Sequence, residues 1–217
     1  MSTSRGADPH AAALRHLAAA DPVMRRLIRR RGPCELRPRR GRSPFESLAR
    51  AIAHQQLNGT AANTILTRFI RLFPGRRFPA PADLAAVTDE TIRGAGFSRA
   101  KVAALRDLAA KALDGTVPTT RVISRLADAE IVERLTQVRG IGPWTVEMLL
   151  IFQLSRPDVL PVDDFGVRNG FRQAYGRDEM PKPKEVLAFG ERWRPHRTVA
   201  AWYLWRAADS TKAPAKS

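Results

Sequence analysis

Leu135-Thr136-Gln137-Val138-Arg139-Gly140-Ile141-Gly142-Pro143-Trp144-Thr145-Val146 reads as the end of one helix, a tight turn and the start of a second helix. Asp128 can cap the first helix, whose apolar residues Ile131, Val132, Leu135 and Val138 fall at spacings of one, three and three, a pattern that makes a buried stripe. Gly140 and Gly142 bracket a single apolar residue, and Pro143 stands where a helix begins and its missing N–H forfeits nothing. Glycines open backbone conformations closed to other residues and let another chain approach. Free N–H groups at the positive end of the second helix then form an anion site without any side chain. G-x-G alone would also serve as a plain helix connection. The longer frame, with Leu135 before it and Thr145 after it, singles out Gly140, Gly142 and Thr145 as phosphate ligands.

Charge supplies the anion. The 217 residues carry 37 Lys and Arg against 21 Asp and Glu, a net charge of +16. A balance of this kind raises encounter rates with polyanions and gives a salt-sensitive affinity. The hydrophobic fraction of 44% makes a globular chain with a real core. Cys34 is the single cysteine, which excludes an intramolecular disulfide, a zinc ribbon and a Cys-ligated iron–sulfur cluster. No signal peptide and no bilayer-spanning window is visible, so an intracellular protein is expected.

Outward from the hairpin the chain reads as helices throughout. Asp8-Pro9 and Asp21-Pro22 open helices near 9–20 and 22–31, and ten arginines between Met24 and Arg50 form a basic segment. Helices are expected from Ser43-Pro44 and from Thr60. Between them lies a polar corner, His54-Gln55-Gln56-Leu57-Asn58-Gly59, unusual for a packing layer. Short helices at 82–87, 88–95 and 119–126 and a long one capped by Ser98 fill the middle. The run Trp144 to Leu154 is almost continuously apolar and belongs in the core. After an extended crossing at 156–163, helices follow at 164–175, at 184–192 and from Pro195, the last rich in aromatics. No segment alternates like a strand, so the class is all-α. Asp163-Asp164 opens a helix: one carboxylate serves as N-cap, which leaves the other for chemistry.

The hairpin resembles that of helix-hairpin-helix DNA-binding proteins. Leu135…Gly140-Ile141-Gly142…Asp164, with Leu160-Pro161-Val162-Asp163-Asp164-Phe165-Gly166-Val167-Arg168, resembles the helix-hairpin-helix, Gly/Pro-rich loop, Asp superfamily of DNA base-excision glycosylases. Within it the match is to the bacterial DNA-3-methyladenine glycosylase II group, through Glu191–Arg197, the helix to Trp205 and the Gln55-Gln56-Leu57 corner. The resemblance implies two helical lobes with a cleft between them. It assigns residues 1–42 to N-terminal helices packing with the C-terminal lobe plus a basic connector, and 43–155 to a lobe with the corner and hairpin. Residues 156–209 become a C-terminal lobe with the catalytic Asp, and 210–217 a disordered tail; the group's N-terminal β domain finds no counterpart here.

The same resemblance implies a monofunctional hydrolase that releases alkylated purines (3-methyladenine, 7-methylguanine) from duplex DNA by base flipping. Asp164 takes the catalytic position and Asp163 becomes a cap or support. Trp144, Met148 and Trp205 match base-pocket positions, and Met148 replaces a tyrosine. Gln56, Leu57 and Asn58 match the wedge that fills the vacated stack. The backbone carbonyls of Thr136, Val138 and Ile141 match those holding Na+ or K+; no other cofactor and no iron–sulfur cluster is expected. Trp144 stands where bifunctional members carry a lysine nucleophile, so strand cleavage is not expected. The partner is double-stranded DNA containing alkylated bases, with no membrane contact, and the protein is a monomer, cytoplasmic and nucleoid-associated. A glycosylase for another lesion and a non-catalytic DNA-binding protein are the competing readings.

Overall fold

The computed structural model describes residues 8–38 and 41–209 and is helical, with no strand among them. In chain order the helices are α1 (Ala11–Ala20), α2 (Pro22–Arg31), α3 (Pro44–His54), α4 (Gly59–Arg71), α5 (Asp89–Gly94), α6 (Arg99–Leu113), α7 (Thr120–Ile123), α8 (Asp128–Leu135), α9 (Pro143–Phe152), α10 (Phe165–Ala174), α11 (Pro183–Gly190) and α12 (Arg197–Asp209). Short 3-10 turns lie at Pro81–Ala86 and Glu191–Trp193. Two compact units result, one from residues 1–38 and 155–217 and one from 39–154. The expected tail at 210–217 lies outside the described residues.

In the first unit α1 and α2 share a core with α10, α11 and α12, built on Leu17, Met24, Phe171, Val186, Trp193, Tyr203 and Leu204. The crossing of α10 and α12 requires Gly170, because a Cβ there would land on the Leu204 backbone carbonyl. Asp21, 1% exposed, joins the two ends of this unit. Its Oδ1 accepts the Val23 and Met24 N–H groups at 2.8 and 3.3 Å, and its Oδ2 accepts Trp193 Nε1–H at 3.0 Å and the Tyr175 hydroxyl. Burial and the bond to Asp21 push the Tyr175 phenol well above its ordinary range. The extended crossing is tied to α12 by Arg197, which donates to Asp158 Oδ1 at 2.7 Å and to its carbonyl at 2.9 Å.

The second unit packs α3 against α6, with Leu48, Ile52, Ala53, Leu105 and Leu108 all buried. Phe69 meets Phe73, Phe78 and Phe97 edge-on under α4. The caps read from sequence at Ser43 and Ser98 form, each hydroxyl accepting the N–H three residues on. Four expectations give way. Asp8-Pro9 does not open α1, whose N-cap is His10 and which begins at Ala11. Asp128 is the first residue of α8 and not its cap, which is Ala127, so its carboxylate acts on the helix dipole instead. The 119–126 helix shrinks to α7, since Ser124 and Leu126 already turn. Pro195 does not open α12, which starts at Arg197 after His196 N–H bonds back to the Trp193 carbonyl. Among the described residues no helix is long and apolar enough to cross a membrane.

Candidate nucleic-acid interface and carboxylate site

The hairpin forms between α8 and α9. Gly140 takes φ +78°, the left-handed conformation that the tight turn requires, and Gly142 is the N-cap of α9 with Pro143 at its first turn. Ile131, Leu135, Val138 and Ile141 are buried beneath it. Several backbone donors are already engaged: Arg139 N–H with Asp107 Oδ2 at 2.7 Å, Ile141 N–H with the Val138 carbonyl at 3.0 Å, and Thr145 N–H with the Gly142 carbonyl at 3.0 Å. Among the described residues the N–H groups of Gly140 and Gly142 donate to no protein acceptor, and nothing lies within 4 Å of a Cβ built at Gly142. The backbone donors left open here are therefore those of the two glycines, and Thr145 has only its hydroxyl to offer. The Thr136 and Ile141 carbonyls accept no bond among the described residues and the Val138 carbonyl accepts that of Ile141, so the three oxygens retain lone pairs suited to a hard monovalent cation.

The polar corner is fastened to this hairpin. Gln55 Nε2 donates to the Gly140 carbonyl at 2.7 Å. Lys101 Nζ donates at 2.8 Å to the carbonyls of both Ala53 and Gln55, closing the C-terminus of α3. Desolvation holds the Lys101 ammonium below the usual lysine range. Asp107, which holds Arg139, also pairs with Lys111 at 2.6 Å. Burial pushes the Asp107 carboxyl up, but hydrogen bonds from Lys111 and Arg139 outweigh it and hold it below the ordinary carboxylate value. Within this fastened corner Gln56 sits at φ +56°, a conformation that non-glycine residues adopt only under constraint. Gln56 and Leu57 are exposed, Leu57 at 40%. Asn58 differs: its side chain accepts the Ala61 N–H at 2.9 Å and caps α4, so two of the three wedge candidates, Gln56 and Leu57, project without a capping role.

A groove of about 1080 Å³ runs along this unit, lined by Arg42, Arg50, Lys101, Arg139, Trp144 and Met148 among others. Arg50 and Arg42 both reach Glu46, at 2.9 and 3.8 Å, a carboxylate only 8% exposed. Trp144 is 48% exposed, an unusual position for an indole, and Met148 is half-buried one turn along α9.

The carboxylate site lies in the other unit. Asp164 is the N-cap of α10: its Oδ1 accepts Val167 N–H at 2.8 Å and Trp205 Nε1–H at 2.8 Å. Asp163 is exposed and is not the cap, contrary to the role expected of it, and Asp164 alone both caps α10 and accepts from Trp205. Trp205 can approach because residue 166 is glycine; a Cβ there would stand 2.8 Å from Trp205 Cδ1 and 3.1 Å from Asp164 Oδ1. Trp193 and Trp202 are core residues, 0% and 9% exposed. The pocket candidates thus divide, Trp144 and Met148 on one unit and Trp205 with Asp164 on the other. Sequence reading passed over Lys101, Asp107 and Gly166. Their partners lie 32 to 48 residues away for the first two, and for Gly166 the spacing of two from Asp164 was the available signal. Cys34 is buried, its thiol pushed up by burial to about 11, and is inert.

Known proteins resemble this chain in sequence and fold. DNA-3-methyladenine glycosylase 1 of Schizosaccharomyces pombe is 42% identical over 203 residues, covering 91% of this chain and 88% of its own. A solved structure from that yeast, a 3-methyladenine DNA glycosylase in complex with abasic DNA, matches with a TM-score of 0.80 at 40% identity over 95% of this chain and 100% of its own. A DNA-3-methyladenine glycosidase from Bacillus halodurans gives a TM-score of 0.84 at 32% identity, over 93% and 91%. DNA-3-methyladenine glycosylase 2 of Escherichia coli is 28% identical over 170 residues, 74% of this chain and 56% of that protein. A family model covers residues 49–195, from α3 through the hairpin and Asp164 to the start of α12, and by it the chain belongs to the HhH-GPD superfamily of base excision DNA repair proteins.

Proposed function

We propose that the protein is a monofunctional DNA glycosylase that hydrolyses the N-glycosidic bond of alkylated purines in duplex DNA. The observation that carries this is the Asp164 carboxylate, half-buried, with Oδ1 fixed by Val167 N–H and Trp205 Nε1–H. A protein that only gripped phosphates would use the bond from Val167 as a helix cap but would not need the second one from Trp205. Turning a nucleotide out of the stack costs a few kcal/mol. The Gly140 and Gly142 N–H groups hold a backbone phosphate, and Gln56 and Leu57 fill the vacated position. As the bond from C1′ to the purine breaks, its electron pair leaves with the base, and the Asp164 carboxylate stabilises the positive charge on the sugar. Water then adds to C1′, its proton passing to Asp164 and on to solvent. A purine methylated at N3 or N7 is already cationic, so no strong general acid is required, and an exposed indole such as Trp144 attracts it through its electron-rich face.

The oxygens of Thr136, Val138 and Ile141 would hold Na+ or K+, whose charge would draw a phosphate toward the glycines. Trp144 cannot form a Schiff base, so no strand cleavage follows base release. Met148 favours a second reading, in which the preferred lesion is another damaged base, since a flexible thioether accepts varied shapes. The test is base release from methylated duplex DNA. Free 3-methyladenine or 7-methylguanine, with no borohydride-trapped protein–DNA adduct, supports the proposal. DNA binding without release of any base refutes it.

A further inference from the structure

The basic segment between Met24 and Arg50 separates into two parts. Arg42 and Arg50 pair with Glu46 in the groove, whereas Arg25, Arg26, Arg29 and Arg30 stand exposed on α2. The inward side of α2 is apolar, with Met24 fully buried and Leu27 and Ile28 packed against the core. The four arginines occupy one outward arc of about 140°, in two rows (25 with 29, 26 with 30) about 6 Å apart along the axis. No carboxylate pairs with any of the four among the described residues, and α2 has no acidic residue in its first turn.

Helix energetics account for this arrangement only in part. Arg29 and Arg30 in the last turn favour the helix dipole, and Arg25 Nε donates to the Ala18 carbonyl at the end of α1 at 2.7 Å, but Arg25 and Arg26 precede the last turn and gain nothing from the dipole of α2. Like charges four residues apart oppose the helix in each row. A polyanion laid across the arc would reverse the sign of that effect.

We infer that the outward face of α2 is a second DNA-binding surface, which takes the sugar-phosphate backbone of undamaged duplex without reading bases. The inference rests on the reading of the protein as a DNA enzyme. Its role is to lengthen contact with DNA during the search for lesions, separately from the hairpin and from Asp164.

The test is the salt dependence of binding to an undamaged 20-base-pair duplex. Each neutralised phosphate contributes about 0.9 to the slope of log K against log salt. Arg26→Gln/Arg30→Gln should lower that slope by about 1 to 2 and weaken binding in low salt about tenfold or more. Arg76→Gln/Arg77→Gln, which removes two exposed charges from the other unit, should leave it nearly unchanged. Single-turnover base release with enzyme saturating should be the same for Arg26→Gln/Arg30→Gln and wild type. An unchanged slope, or equal losses in both double variants, overturns the inference. So does loss of binding to phosphatidylserine vesicles with duplex binding intact, which would mark the face as lipid-directed. The slope is read on undamaged DNA, so absence of base release by wild type would defeat the glycosylase reading without disturbing this measurement.

Discussion

Gly166→Ala separates helix propensity from site geometry, because the two predict opposite signs. Gly166 lies in α10, where replacing glycine by alanine in a helix ordinarily stabilises by about 1 kcal/mol. Here the new methyl would meet Trp205 Cδ1 at 2.8 Å and Asp164 Oδ1 at 3.1 Å. The indole is a rigid ring on α12, partly buried against the core, so it must swing away and give up its bond to Asp164. Overpacking costs about 1–3 kcal/mol and a hydrogen bond to a charged group about 1.5–3 kcal/mol. Less the propensity gain, the net is a loss of about 1.5–5 kcal/mol. Urea unfolding with single-turnover base release checks this, and the same substitution in a Trp205→Ala background, where the ring is gone, should be close to neutral. If Gly166→Ala alone is more stable than wild type, with base release intact, the argument that Gly166 makes room for the Trp205–Asp164 contact is wrong.

Asp21→Ala leaves Tyr175 and Trp193 without their acceptor and uncaps α2, so a loss of about 3 kcal/mol or more is expected in thermal or urea unfolding. Asp107→Ala frees the Arg139 N–H and should weaken duplex binding several-fold while leaving the rate at saturating enzyme unchanged. Equal falls in both would place Asp107 outside hairpin positioning. Desolvation, then the neighbouring His16, holds His196 below the ordinary histidine value. A group depressed in this way contributes stability above its unfolded pKa and loses it as pH falls through about 6.5. Stability should therefore drop between pH 7 and pH 5, by less in His196→Gln, as urea midpoints at the two pH values would report.

Local signals decided most of the fold. Proline after Ser or Asp placed the starts of α2 and α3, and glycine spacing placed the turn before α9, because caps and turns act within three or four residues. Where a cap competed with a neighbour of the same type the sequence did not decide: Asp163 and Asp164 are chemically identical, and the choice depends on where Trp205 arrives, 41 residues later. Asn58 met the same difficulty, since a capping asparagine and a wedge asparagine look alike before Ala61 is seen to donate to it. Lys101 was illegible for a different reason, and Gln55, visible as part of the polar corner, gave no sign of which carbonyl it would meet. Their partners are backbone carbonyls, which every residue carries, so no residue type marks them. The arginines of 24–50 were visible as a charge run, but their division between Glu46 and open solvent needed the fold.

The proposed function gives the hydrolytic chemistry to Asp164 and none of it to Asp163. Single-turnover release of 3-methyladenine from methylated duplex DNA, measured for Asp164→Asn and Asp163→Asn at saturating enzyme, addresses it directly. Asparagine keeps the acceptor for Val167 and Trp205, so folding and DNA affinity should stay near wild type. Asp164→Asn should lose base release by about a hundredfold or more, the scale of a removed charge-stabilising group, while Asp163→Asn should stay within a few-fold of wild type. Full activity in Asp164→Asn, with loss in Asp163→Asn, would contradict that assignment.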